Sequence, residues 1–237
     1  MYSNANLTQV KSLAFLVFIF IFRFIHVTAE STDSLIVLDK AGYVKTIVAN
    51  ETHRLVSIDS LPVSNIKLDI RYSTANNFTG EPVYNRPAAY ARFEVAQALR
   101  LVADSLKSLG MGLLIYDAYR PYSATVRFWE LIGDERYVAN PQKGSRHNRG
   151  CAVDVGLYDL IDGENLPMPT AYDDFTEQAH AEAECTTAPA CRNRRVLQLV
   201  MTWAGFRIFE TEWWHFDYKG WEEFPVLDVS FEDLDAL

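Results

Sequence analysis

The sequence predicts a single α+β domain, with a central antiparallel sheet and helices packed against it. Three observations lead there. The chain has 237 residues, and at roughly 150 residues per domain that is room for one sizeable core. Hydrophobic residues make up 49% and charged residues 22%, an ordinary globular balance that excludes disorder over most of the chain. Segments with a two-residue period and segments with a helical period follow one another with no internal repeat or linker, an order that suits helices laid on an antiparallel sheet.

Residues 35–58 alternate weakly around Gly42 and predict a short hairpin. Residues 66–72 (IKLDIRY) give a clearer strand, and the stretch from Asn76 to Pro87 is loop. Residues 88–109 predict a helix, because their apolar positions recur at three and four and Gly110 stops them. Residues 113–117 (LLIYD) read as a short apolar strand, residues 122–132 as a helix and residues 133–150 as loop. A strand over 152–157 (AVDVGL) follows, then an acidic, proline-bearing loop. A helix over 192–204 and strand-like stretches at 206–209 and 213–218 complete the domain. The acidic end from Asp228 is expected to fray.

The amino terminus is a separate matter. Residues 13–22 are uninterruptedly apolar, with Lys11 before them, Arg23 after them and Val27-Thr28-Ala29 beyond. The run falls short of the roughly 20 residues that span a bilayer. A positive start, a short apolar stretch and small residues describe an export signal over residues 1–29. The alternative is an uncleaved anchor over residues 13–27, with Arg23 snorkelling. The domain then covers residues 30–227, with 228–237 as its acidic tail. Export, to a periplasm or beyond, implies an oxidising compartment. There Cys185 and Cys191 could close a small loop or stay as thiols, with Cys151 left over. The net charge is −9, which argues against a nucleic-acid partner.

Three clusters carry chemistry. In Ser145-Arg146-His147-Asn148-Arg149-Gly150-Cys151-Ala152-Val153-Asp154, a histidine stands in a polar loop and an acid inside an apolar strand. A strand-core acid is costly unless paired or bound to metal, and His nitrogen with carboxylate oxygen suits Zn²⁺. The plain alternative is a loop histidine and an acid that caps a turn. In Glu212-Trp213-Trp214-His215, His215 could supply a third ligand and Glu212 a base, with two indoles making a low-dielectric wall that raises the acid's pKa. Alternatively the tryptophans are core, His215 is a satisfied core histidine and Glu212 is a surface acid. In Tyr116-Asp117-Ala118-Tyr119-Arg120-Pro121, Arg120 is a fixed cation at a strand end. It suits a carboxylate or the oxyanion of a tetrahedral intermediate, or else a structural ion pair.

Taken together, Ser145-x-His147-x-x-Gly150-x-Ala152-x-Asp154, then Glu212-x-Trp214-His215, with Arg120-Pro121 upstream, resemble the D-alanyl-D-alanine dipeptidases. This is a zinc-peptidase group that also holds D,D-carboxypeptidases and the hedgehog signalling domain. The dipeptidase branch is resembled further by Ile70-Arg71-Tyr72-Ser73-Thr74 with Asn77-Phe78-Thr79-Gly80, by Pro167-Met168 to Phe175, and by Cys185 with Arg192-Asn193-Arg194-Arg195. The likeness runs from about residue 60 to 219. It implies one Zn²⁺, on the sheet, held by His147, Asp154 and His215. It implies Glu212 as general base and acid, Arg120 as stabiliser of the transition state, and Tyr72, Ser145 and Asp173 as lining of a closed substrate site. Asp173 would meet the free ammonium group of a D,D-dipeptide, although a one-residue shift would hand that place to Asp174. The implied activity is hydrolysis of D-alanyl-D-alanine in cell-wall peptide turnover. Two readings compete: a D,D-carboxypeptidase acting on longer peptides, and a binding module that keeps zinc without catalysis. Membrane contact is expected only through residues 1–29, if they are retained. Cys151 departs from the family pattern, standing where a small residue is usual. It either packs as a small hydrophobe or competes for metal.

Overall fold

The computed structural model describes residues 34–237; the export signal or anchor expected at the amino terminus lies outside them. The described chain opens with strand β1 (Val37–Leu38) and helix α1 (Lys40–Ala49). This corrects the hairpin expected over 35–58. Asp39 accepts a hydrogen bond from the Gly42 N–H and caps the helix, so Gly42 sits in a first helical turn and not in a β-turn. Helix α1 turns Tyr43 inward, where its hydroxyl accepts from the Leu55 N–H at 2.5 Å. After the helix, only Leu55–Ser57, β2, is strand.

Next come β3 (Ile66–Leu68), β4 (Tyr90–Arg92) and helix α2 (Phe93–Lys107). The helix starts later than its periodicity suggests, because Tyr90–Arg92 pair antiparallel with β2. Its buried face, Val95, Leu99, Val102 and Leu106 among others, keeps the spacing of three and four. The chain continues through β5 (Met111–Asp117), α3 (Tyr122–Ile132), β6 (Ala152–Asp159), α4 (Ala188–Trp203), β7 (Phe206–Ile208), β8 (His215–Tyr218), β9 (Val226–Leu227) and α5 (Phe231–Asp235). Helix α4 begins before the expected 192, since Thr187 caps it and Pro189 is tolerated in its first turn. Cys185 and Cys191 are joined just there, with Cα atoms 5.5 Å apart.

Five strands form the central sheet in the order β3-β5-β6-β8-β7. The expectation of an antiparallel sheet needs one correction: β3 pairs parallel to β5 at the edge, while every other pair is antiparallel. The chain leaves β3 through a long loop and α2 before returning as β5, and that crossover permits a parallel pair. Helix α2 packs on β5, and α4 packs on β6 and β7. Along β6, Val153, Val155 and Leu157 are fully buried on one face, which leaves Asp154 and Gly156 to the other.

The acidic end does not fray. Phe231 and Leu234 of α5 are buried, Asp233 pairs with Lys40 and Asp235 with Arg86, and β9 pairs with β1. The acidic side chains face outward while the apolar ones between them close the core.

Candidate active site

A row of side chains crosses the middle of the sheet. The register pairs Asp154 of β6 with His215 of β8. On the other side of β6, a bulge after Ile115 brings Asp117 opposite Asp154. With Ile115 already opposite Val155, regular pairing would have placed Tyr116 there; the extra residue re-aims the strand end. His147 arrives from a short 3-10 turn before β6. Gly150 ends that turn at φ +71°, where a Cβ would meet Leu55 Cδ2 at 2.4 Å and Arg92 Cγ at 3.4 Å. Both the conformation and the space demand glycine.

Behind the turn lies Arg92, fully buried. It donates to the carbonyls of Arg149 (2.7 Å), His53 and Pro225, and so ties the histidine turn to two other segments. Asn148 stitches the turn to the Arg120 loop, donating to Arg120 O at 2.9 Å and Thr125 Oγ1 at 2.8 Å. Arg120 N–H in turn donates to His147 O at 3.1 Å.

His147, Asp154 and His215 converge, all buried. His147 Nε2 lies 3.2 Å from His215 Nδ1 and 3.4 Å from Asp154 Oδ1, and the last two are 3.0 Å apart. A tetrahedral ion with ligands at about 2.0–2.1 Å has donors about 3.3 Å apart, so the triangle is of the right size for zinc. The outer nitrogens fix the tautomers. His147 Nδ1 donates to Ala118 O at 2.7 Å and His215 Nε2 to Asp217 Oδ1 at 2.9 Å, which leaves Nε2 and Nδ1 respectively as ligand atoms. Asp154 Oδ1 is buried with no hydrogen-bond donor, a costly orphan in a protein interior unless a cation meets it. The donor set therefore fits a metal ion. Burial opposes a charge on His215, but the carboxylates of Asp154 and Asp217 on either side outweigh that and raise its pKa to about 10.

Glu212 lies beside this cluster, its Oε2 3.6 Å from His215 Nδ1. Its side chain keeps 23% exposure, toward the cleft. Burial pushes its pKa up, with His215 pulling the other way. Trp213 and Trp214 next to it are buried. Arg120 is also buried and does form an ion pair, donating from Nε (3.0 Å) and Nη2 (2.8 Å) to Asp117 Oδ2. It still lines the cleft. Tyr84 donates to the other Asp117 oxygen at 2.9 Å.

The cleft above these groups holds about 560 Å³, and Tyr72, Ser145 and Asp173 line it too. Tyr72 donates to Asp173 Oδ1 at 3.1 Å. Asp173 has φ +60°, rare for a residue other than glycine. Burial, and then the Asp154 charge, push its carboxyl well above the usual range. Asp174 instead caps the following turn, accepting from Thr176 N–H at 2.8 Å, so Asp173 is the one that faces Tyr72. Ser145 Oγ accepts from the His147 N–H at 3.1 Å. Cys151 packs in the core, away from the triangle, and burial raises its thiol to about 12.

Three groups had no role in the sequence reading: Asp117, Asp217 and Tyr172. Asp217 stands two residues beyond His215 in one strand, so alternation places both on one face; that signal was legible. The other two depend on the bulge and on a loop.

An α+β domain with a buried His-Asp-His triangle, a carboxylate beside it and a cleft above defines a metal-dependent hydrolase. Comparison with known proteins gives the family. Residues 51–231 match the family model described as D-ala-D-ala dipeptidase, and the chain belongs to that peptidase family. It is 32% identical over 182 residues to the D-alanyl-D-alanine dipeptidase of Escherichia coli (strain K12), covering 77% of this chain and 93% of that protein. It is 33% identical over 198 residues to the D-alanyl-D-alanine dipeptidase of Streptomyces coelicolor, covering 74% and 95%. Among solved structures, a vancomycin resistance D,D-pentapeptidase in complex with Zn(II) aligns at 17% identity and a TM-score of 0.37, covering 56% of this chain and 75% of that one.

Proposed function

We propose that this chain is a zinc-dependent dipeptidase that hydrolyses D-alanyl-D-alanine to two D-alanines. The observation that carries the reading is the triangle of His147 Nε2, Asp154 Oδ1 and His215 Nδ1, with Glu212 beside it, in a chain about one-third identical to dipeptidases over nearly their whole length. Those three atoms would hold the ion, which when bound polarises a carbonyl and lowers the pKa of water toward about 7.

The chain's own groups do the rest. Glu212 takes a proton from the attacking water as its oxygen bonds to the peptide carbon. It returns that proton to the leaving nitrogen as the C–N bond breaks. Its raised pKa suits both transfers. Arg120, pinned by two bonds to Asp117, presents its remaining N–H groups to the developing oxyanion. At the amine end, the carboxylate of Asp173 and the hydroxyl of Tyr72 receive the substrate ammonium. Ser145 keeps its hydroxyl hydrogen for the substrate, since its oxygen is already bonded to the His147 N–H. The need for a free ammonium opposite Asp173 favours a dipeptide over the end of a longer chain.

We place the enzyme outside the cytoplasm, acting on fragments released from the cell wall. The apolar run at residues 13–22 and the joined Cys185 and Cys191 support this. Fractionation that finds the protein only in the cytoplasm would remove it.

The test of the activity is hydrolysis of D-Ala-D-Ala beside L-Ala-L-Ala and a pentapeptide ending in D-Ala-D-Ala, with and without chelator. Cleavage of the D,D-dipeptide alone, abolished by chelation and restored by zinc, is expected. Cleavage of the pentapeptide would move the chain to the carboxypeptidases. Inertness of a zinc-loaded, folded protein would leave a binding module.

A further inference from the structure

The reaction as described gives no task to the hydroxyl of Tyr172, which lies against Asp154 and Tyr72. Its ring is gripped by three others. It stacks on Tyr116, with centroids 4.6 Å and planes 23° apart, meets Trp214 edge-on at 5.4 Å, and lies 6.1 Å from Tyr72. A ring held this way delivers its hydroxyl to a fixed point. That point is Asp154 Oδ2, 2.9 Å away.

The two oxygens of Asp154 therefore face different partners. Oδ1 faces the two imidazoles and has no hydrogen-bond donor. Oδ2 has Tyr172. The same Tyr172 hydroxyl lies 3.1 Å from the Tyr72 hydroxyl, which lies 3.1 Å from Asp173 Oδ1. A phenol carries one hydrogen. The Tyr172 hydrogen goes to the carboxylate of Asp154, the stronger acceptor. Tyr72 is left with two acceptors, Asp173 and Tyr172.

We propose that Tyr172 is a positioning residue for Asp154. Its hydroxyl occupies Oδ2, leaves Oδ1 alone to coordinate the ion, and links that ligand through Tyr72 to the carboxylate that receives the substrate amine. The proposal rests on the zinc reading of the His147, Asp154 and His215 triangle. Without the hydroxyl, Oδ2 loses its donor and both oxygens of Asp154 can turn toward the ion. Groups that hold a metal ligand in place typically change metal affinity by about 10–100-fold.

The experiment compares Tyr172→Phe with Tyr72→Phe, each of which removes one hydroxyl and keeps the ring. Zn(II) affinity is measured by competition with a chromophoric chelator, and thermal unfolding of the metal-free proteins reports on packing. Tyr172→Phe should weaken zinc by about 10–100-fold with unchanged metal-free stability, while Tyr72→Phe should leave zinc affinity at the wild-type value. In the Co(II)-loaded proteins, visible absorption should weaken in Tyr172→Phe alone, as Asp154 turns bidentate and the coordination number rises. Wild-type zinc affinity and cobalt spectrum in Tyr172→Phe would overturn the proposal. So would a fall in zinc affinity matched by an equal fall in metal-free stability, which marks a packing role. A wild-type protein that binds neither ion would overturn the zinc reading beneath it, a separate and recognisable failure.

Discussion

Replacing Arg120 by alanine removes two things that can be measured apart. The first is a buried charge partner. Arg120 and Asp117 are 8% and 1% exposed, and breaking such a pair by taking one member costs about 3–5 kcal/mol. Burial pushes the Asp117 pKa up, opposed first by Arg120 and then by His147, so loss of Arg120 favours the protonated acid over a bare charge. That sets the loss near the lower end, about 3 kcal/mol. The second is the oxyanion donor proposed for Arg120, which would be worth about 10²–10³ in kcat. The double variant Arg120→Ala/Asp117→Asn separates them, since no acid is left unpaired and Tyr84 keeps an acceptor. Urea unfolding should show Arg120→Ala losing about 3 kcal/mol and the double variant regaining most of it. The kcat for D-Ala-D-Ala, measured at full zinc content, should stay down by about 10²–10³ in both. Recovery of kcat together with stability in the double variant would refute a direct role in the transition state and leave Arg120 as a prop for Asp117.

Further outcomes follow from the same geometry. Glu212→Gln should keep its zinc and lose about 10²–10⁴ in kcat; loss of zinc, read by metal analysis, would make Glu212 a ligand instead of a base. Asp217→Ala removes the acceptor that orients His215, and should weaken zinc by about 10–100-fold in chelator competition; unchanged affinity would show that the strand alone holds the ring. Replacing both Cys185 and Cys191 by serine frees a short loop at the start of α4 and should cost about 2 kcal/mol in urea unfolding, with zinc affinity untouched. An unchanged midpoint would mean that the bridge constrains little.

The sequence spoke clearly where a pattern is local. The buried face of α2 follows from its spacing of three and four, and the three motif clusters meet in one cleft. It was silent where partners are distant. Tyr90–Arg92 look helical until β2 pairs with them. Nothing within residues 66–68 says that the partner strand runs parallel. The stretch 35–58 misled because its alternation is weak, while the Asp39 cap that starts a helix there is a single side chain. In the acidic tail, charge hid Phe231 and Leu234, which decide its fate. The site divides the same way. His147, Asp154, Glu212 and His215 carry a spacing that can be recognised. Asp117 enters the row only through a bulge, and Tyr172 only through the path of an irregular loop.

The pairing of Asp154 with His215 across β6 and β8 has a consequence for how the molecule matures. Side chains alternate along a strand, so a slip of one residue between these neighbours would send one of the two to the opposite face. A misregistered sheet therefore offers the ion at most a broken triangle. An ion held by His147, Asp154 and His215 would add its binding energy only to the correct pairing. Occupancy of the centre would thus favour aligned strands over slipped ones, through the same atoms that Asp154 and His215 turn toward the cleft.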